Sequence, residues 1–377
     1  MTQRPDFPNL TDFEVDPIRG FLPTQNPVQA LPRDYEAWEQ IAANLSSLLT
    51  ANQLRPAIER LSVLDTSKLV TEGQLQRAML LLSVFGNAYV CGDGTPATVI
   101  PRALSVPWSE VAERVGRPMI TSHASIVLNN WRLLDETGEI DLDNIGALQL
   151  FLGGMDEAWF YLVTVAIEAR GAAALPCLVD LQQAVVADDP EQGVTALSSI
   201  ASAVQRITET LLRMPERCAP YVFYHRVRPF LAGWGDPGIL YEGVYEEPIV
   251  LAGGSAAQSS LLQAIDAGLS IAHEDERTRP FLMEMRNYMP PPHRRFIEAL
   301  EAGPSVHRYV TDQAFGNPDL QKCYNECIEL LCEFRKKHLE ITIRYIKQQA
   351  TADDQVVGTG GTDFIPFLKE SGKESKD

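Results

Sequence analysis

The chain has no Cys-x-x-Cys pair, no Gly-x-Ser-x-Gly, no His-Glu-x-x-His and no lysine-bearing phosphate loop. These absences exclude, in turn, a thiol-exchange or zinc-ribbon site, a nucleophile-elbow hydrolase, a metallopeptidase helix and a nucleotide loop built from local motifs. No two of His123, His225, His273, His293, His307 and His338 stand three or four residues apart. A metal centre made from a local histidine pair is therefore disfavoured. Basic blocks are also missing. Lys and Arg number 32 against 50 Asp and Glu, a net charge of −18 that repels nucleic-acid backbones and anionic membrane surfaces. Long apolar runs are absent too: the longest, Ala78 to Val90, is broken by Ser83, Gly86 and Asn87 and is too short to span a bilayer. The first residues are polar and proline-dotted, with no apolar signal segment. A cytoplasmic protein without nucleic-acid or membrane partners is expected. The few cysteines, Cys91, Cys177, Cys218, Cys323, Cys327 and Cys332, read as small apolar fillers in a reduced compartment.

What is present is helical periodicity. With 377 residues, 45% hydrophobic and 22% charged, the chain has room for two domains or one large core with a smaller lobe. Apolar spacing predicts helices over most of it, among them 35–51, 72–90, 121–132, 143–151, 154–170, 190–213, 219–231, 256–271 and 319–349. Asn317-Pro318-Asp319 offers an N-cap, a proline at the first helical position and an acid in the first turn. Strand signal is confined to short pieces such as Thr98 to Ile100 and Pro248 to Val250. The expected class is all-α. Breakers cluster at Gly92 to Pro96, Asp135 to Asp141 and Gly233 to Pro248. The middle cluster, ending near residue 150, is the expected lobe boundary. This divides the chain into 1–150, 151–350 and a tail of 351–377.

Four constellations carry chemistry. Leu320, Tyr324, Cys327, Leu331, Phe334, His338, Ile341 and Tyr345 recur in steps of four and three, so His338 lies on the apolar stripe of a long helix. An imidazole there is either a hydrogen-bonded core group or a ligand to something held between helices. Arg335, three residues earlier, projects from the same side, as a haem site needs one axial histidine and a propionate partner. Small residues from Ala252 to Ser260 precede a helix, allowing either close backbone approach to a flat ligand or a tight capped loop. Phe223 to Arg228 puts aromatic rings beside guanidinium groups, suited to an aromatic carboxylate or to ordinary packing. Trp159 to Thr164 is an aromatic run with one hydroxyl.

Several of these segments resemble the indoleamine 2,3-dioxygenases. Gly253 to Ser260 is similar to one family signature and Phe281 to Phe296 to the other. Arg335 to His338 resembles the family's haem-ligand helix, and Gly358 to Asp363 its mobile substrate loop. Similarity is traceable from Asn87 to Leu368, with Pro101-Arg102 through Val106-Pro107 and Asn130-Trp131 also fitting. The resemblance implies an all-helical fold in which a small N-terminal lobe caps a larger lobe holding haem b. It implies insertion of both atoms of O2 across the indole C2–C3 bond, giving N-formylkynurenine from L-tryptophan, with an external one-electron reductant. By the same resemblance His338 is the iron ligand, while Arg335 pairs with a haem propionate and with Asp266. Phe160 and Phe223 wall the indole, and Arg228 takes the substrate carboxylate. Ser255 and Ala256 lie near the haem edge and substrate, and Thr359 and Gly360 close the site.

Departures from the mammalian pattern concern the distal pocket. Thr164, His123 and Ile126 stand where those members have serine, tyrosine and cysteine, and His225 replaces a serine. Thr164 keeps a hydroxyl and adds a methyl. His123 is left between hydrogen-bonding oxygen, hydrogen-bonding the indole N–H, and facing solvent at the pocket mouth. The alternatives to tryptophan cleavage are turnover of a modified or halogenated indole in secondary metabolism, and a non-catalytic haem sensor of O2 or NO.

Overall fold

The computed structural model describes residues 7–273 and 275–351. Four helices come first: α1 (Glu36–Thr50), α2 (Leu54–Glu59), α3 (Glu72–Cys91) and α4 (Arg102–Val115). Then follow α5 (Met155–Gly171), α6 (Ala174–Ala187), α7 (Pro190–Leu211) and the single turn α8 (Pro220–Val222). The last five are α9 (Ser260–Gly268), α10 (Thr278–Met285), α11 (Pro291–Glu301), α12 (Val306–Gln313) and α13 (Pro318–Thr342). Helix dominates, as the periodicity predicts.

α7 is the hub, packing against α5, α6 and α13. Asp189 caps it through the Gln192 N–H, Pro190 occupies its first position, and Ala196, Leu197, Ile200, Val204, Ile207 and Leu211 form its buried face. α3 opens with a reciprocal Thr71–Gln74 capping box and is buried without a break from Arg77 to Val90. The polar residues that interrupt its apolar run are its contacts. The Ser83 backbone carbonyl accepts from the Thr121 hydroxyl while its own hydroxyl donates to the Leu80 carbonyl, and the Asn87 side chain bonds the Phe230 and Ala232 carbonyls and the Thr121 N–H. Gly86 is required because a Cβ there would overlap the Trp108 ring of α4.

Met155–Ala187 is long and apolar enough, by composition, to cross a membrane, but 61% of its most apolar window is buried inside this fold. α5 and α6 are core helices, and one apolar core runs continuously from Val15 to Tyr345. All six cysteines are free thiols.

The strands are β1 (Val99–Ile100), β2 (Trp131–Leu133), β3 (Ile145–Ala147), β4 (Trp234–Tyr241) and β5 (Ile249–Leu251). β4 lies between β1, parallel to it, and β5, antiparallel to it, while β2 and β3 form an antiparallel pair. Two short strand signals thus find their partner in β4, within a region that reads as breakers.

Three helical expectations fail. Residues 143–151 contain β3 and loop, and 121–132 contracts to a π-helical turn, Ala124–Leu128, followed by β2. Here side-chain amides replace a helical ladder. Asn130 bonds both the N–H and the carbonyl of Gln149, and Asn144 bonds the Asp135 N–H and carbonyl and the Glu139 carbonyl. Residues 219–231 split into α8, a π-helical turn at Phe223–Val227 and a 3-10 turn at Arg228–Leu231. Pro229, lacking an N–H, prevents a regular helix from continuing. At α13, Pro318 takes the first position as expected, but the Asn317 side chain bonds Gln313 instead of capping the helix.

Candidate active site

One cavity, with about 1410 Å³ of unfilled space including its mouth, gathers residues from seven parts of the chain. α5 supplies Phe160, Thr164 and Glu168, spaced four apart and therefore on one face. The turn after α8 brings Phe223 and Arg228, and the loop before α9 brings Ser255, Ala256 and Ser259. His123 precedes the π-helical turn Ala124–Leu128, and His338 comes from α13.

The α13 stripe behaves as its spacing predicts. Leu320, Tyr324, Cys327, Leu331 and Phe334 are buried, while His338 and Ile341 are half-buried because the stripe opens there onto the cavity. The His338 ring lies nearly parallel to Phe334, with centroids 6.2 Å apart at 17°. Among the described residues nothing hydrogen-bonds that ring, and desolvation lowers its pKa to about 4, leaving it neutral. A neutral imidazole with an uncommitted nitrogen is the form that ligates a metal.

Arg335 and Asp266 stand beside the cavity and not in its wall. One Arg335 nitrogen lies 2.6 Å from both Asp266 oxygens, and His273 reaches the same carboxylate at 3.0 Å. Burial alone would raise the Asp266 carboxyl; Arg335, then His273, overcome this and hold it below its ordinary value.

Phe160 and Phe223 pack together in the cavity wall. The Phe160 and Phe223 rings are 4.6 Å apart, and Arg228 lies over Tyr224 at 5.2 Å. Ser255 starts the short turn Ala256–Gln258, accepting the Ala257 N–H, while Gln258 reaches back to the Ser255 N–H. Thr164 donates to the Phe160 carbonyl at 3.0 Å.

Two expectations are corrected. His123 does not face solvent at a pocket mouth. It is 4% exposed, with Nε2 2.8 Å from Glu168 Oε1 and its backbone N–H on Gln258. Ile126 is buried against Gly254 and is not part of the cavity wall. His225 is exposed and tilted against Tyr221, with ring centroids 4.4 Å apart. Thr359 and Gly360 lie outside the described residues.

Sequence reasoning missed Glu168 and Ser259. Glu168 carried a signal, standing one turn after Thr164 on the same face. Ser259 carried none beyond its place in the small-residue loop.

Among the described residues no group of three or more His, Cys, Asp or Glu side chains is placed to hold a bare ion. A lone neutral imidazole in an apolar wall instead fits an iron whose remaining ligands come from a macrocycle. The cavity's walls fit haem in this respect.

A family model described as "Indoleamine 2,3-dioxygenase" matches residues 9–377. The chain belongs to the indoleamine 2,3-dioxygenase family. It is therefore an oxidoreductase of the dioxygenase type. It is 36% identical to indoleamine 2,3-dioxygenase 1 of Rattus norvegicus over 382 residues, covering 96% of this chain and 93% of that one. Indoleamine 2,3-dioxygenase of Saccharomyces cerevisiae is 34% identical over 431 residues, covering 99% and 94%. Indoleamine 2,3-dioxygenase nanC of Aspergillus nanangensis is 33% identical over 390 residues, covering 96% and 95%. Family likeness thus also covers residues 9–86, where no motif was legible.

Proposed function

We propose that this protein binds haem b through His338 and uses O2 to open the indole ring of L-tryptophan, giving N-formylkynurenine. The observation that carries the reading is the neutral His338 imidazole, free of hydrogen bonds among the described residues, in the wall of a cavity that also holds Phe160, Phe223 and Arg228. When bound, haem supplies the oxygen chemistry through its iron. The chain's own residues orient and enclose the substrate.

Phe160 and Phe223 form the wall against which an indole packs. Arg228 pairs with the amino-acid carboxylate. Ser255 and Ala256 bring a small-residue backbone close to the ligand, and Arg335, held by Asp266 beside the cavity, would pair with a haem propionate. Thr164 has its hydroxyl hydrogen on the Phe160 carbonyl, so it offers the cavity a lone pair and a methyl. The apolar walls keep water from the reacting indole. Residues 1–150 cap a haem-bearing body of 151–350, and Thr359 and Gly360 belong to a closing segment within 351–377. The setting is cytoplasmic, with an external one-electron donor.

The test is to reduce the haem-loaded protein anaerobically, then add oxygen and L-tryptophan and follow N-formylkynurenine by absorbance and mass. Turnover with L-tryptophan supports the reading. Turnover only with a ring-modified indole assigns the fold to a different substrate. Arg228→Ala should raise KM for L-tryptophan far more than for indole, and equal effects on both would remove the carboxylate role.

A further inference from the structure

Glu168 has no part in the mechanism above, yet it is the one carboxylate in the cavity wall among the described residues. It is 1% exposed. Its Oε1 receives the Ser259 hydroxyl at 2.6 Å and lies 2.8 Å from His123 Nε2. Ser259 Oγ meanwhile accepts the Leu261 N–H, so its own hydrogen is directed at Glu168. An oxygen already accepting from Ser259 is an acceptor toward His123 as well, and the shared proton belongs to the imidazole. His123 therefore carries its hydrogen on Nε2, and in the neutral ring Nδ1 is left with a lone pair.

The hydroxyls of the same cavity point the same way. Thr164 donates to the Phe160 carbonyl, Thr342 to the His338 carbonyl and Tyr345 to the Cys218 carbonyl. With Ser259 on Glu168, four of the five wall hydroxyls have spent their hydrogens, Ser255 being the exception among the described residues. Apart from the Arg228 guanidinium, the wall is rich in acceptors and poor in donors. A ligand that satisfies such a wall brings its own N–H or O–H, because a buried acceptor left unpaired costs free energy.

We infer that Glu168 is a positioning residue that fixes His123 as its Nε2–H tautomer and so presents Nδ1 as the acceptor for the substrate's indole N–H. This rests on the dioxygenase reading of the cavity. It selects the indole-directed role for His123 from those left open by the sequence. It also gives the burial of Glu168 in this wall a purpose.

Two measurements test it. Histidine side-chain 15N spectra are recorded on the purified protein, in the ferrous carbon-monoxide form where haem is present, with His123→Phe supplying the assignment. The expected result is the Nε2–H tautomer, retained in Glu168→Gln, whose amide oxygen still accepts, and lost in Glu168→Leu. An Nδ1–H tautomer or an imidazolium in the unmodified protein would overturn the inference, whatever the variants do.

The second measurement compares binding of L-tryptophan with that of its benzothiophene analogue, in which sulfur replaces the N–H. Ligand-induced change in the haem Soret band gives both Kd values without turnover. Tryptophan should bind about three- to tenfold more tightly, as one hydrogen bond predicts. The preference should survive Glu168→Gln and vanish in His123→Phe. A preference that persists in His123→Phe would place the acceptor on Thr164 and overturn the proposal, as would equal binding by the unmodified protein. Protein that takes up no haem overturns the dioxygenase reading instead, while the tautomer measurement still decides this one.

Discussion

Two imidazoles line one cavity and are treated in opposite ways. His338 sits on a regular helical stripe, stacked on Phe334 and without a hydrogen bond among the described residues. His123 precedes an irregular π-helical turn and is anchored at both ends of the residue, by Glu168 at Nε2 and by Gln258 at the backbone. The difference shows how one residue type is assigned to two tasks. A ring left with an uncommitted nitrogen can give it to a metal, whereas a ring tied to a carboxylate has its tautomer and direction set. The supports differ as well. Behind His338 the charged pair Arg335–Asp266 is buried beside the cavity, while behind His123 the carboxylate is itself part of the wall.

The contrast can be broken from either side. The largest effect is expected from His338→Ala, which should abolish stoichiometric haem binding, read from the Soret band after reconstitution. Full haem with an unchanged five-coordinate ferrous spectrum would move the ligand elsewhere. Next comes Asp266→Ala, which removes the carboxylate from the buried Arg335 and should cost about 3–5 kcal/mol in denaturant unfolding. A loss below 1 kcal/mol would show that the buried Arg335 does not depend on that carboxylate.

A third histidine offers an internal control. His293 is buried beside Phe21, with ring centroids 4.7 Å apart, and lies outside the cavity wall. Desolvation lowers its pKa to about 3, more than the Glu14 backbone contact restores, with Arg117 and His123 lowering it further. Between the unfolded value near 6.5 and this folded value, the unfolded chain binds a proton that the folded chain does not. Stability should therefore fall as pH falls through that window, by about 1.4 kcal/mol per pH unit from this group. His293→Phe should flatten the acid slope of unfolding midpoints, and an unchanged slope would assign it to other groups. The smallest change is Thr164→Ser, which removes one methyl from the wall. It should shift preference toward bulkier ring-substituted indoles by about tenfold or less, measured as the ratio of kcat/KM values.

Much of the molecule was legible because it is local. The stripe from Leu320 to Tyr345, the Asp189-Pro190 start of α7 and the Thr71 cap of α3 are written in spacings of three and four residues. Phe160 and Thr164 share a face for the same reason. Illegible parts depend on partners distant in the chain. Residues 143–151 have helix-compatible spacing, but Asn130 and Asn144 give the backbone other hydrogen bonds. β4 reads as breakers until β1 and β5 flank it.

His123 shows the limit most clearly. Its identity was visible, and so was its distance from any other histidine, yet its exposure was not. Glu168 is 45 positions away and Ser259 another 91 from Glu168. By itself the sequence determined that the chain is helical, that His338 points inward, and which family motifs it carries. Only the tertiary structure decided which wall groups have spent their hydrogens and which nitrogen of His123 is free. Helical facing is set by backbone pitch within one segment, whereas a hydrogen-bond direction is set by what packing brings against it.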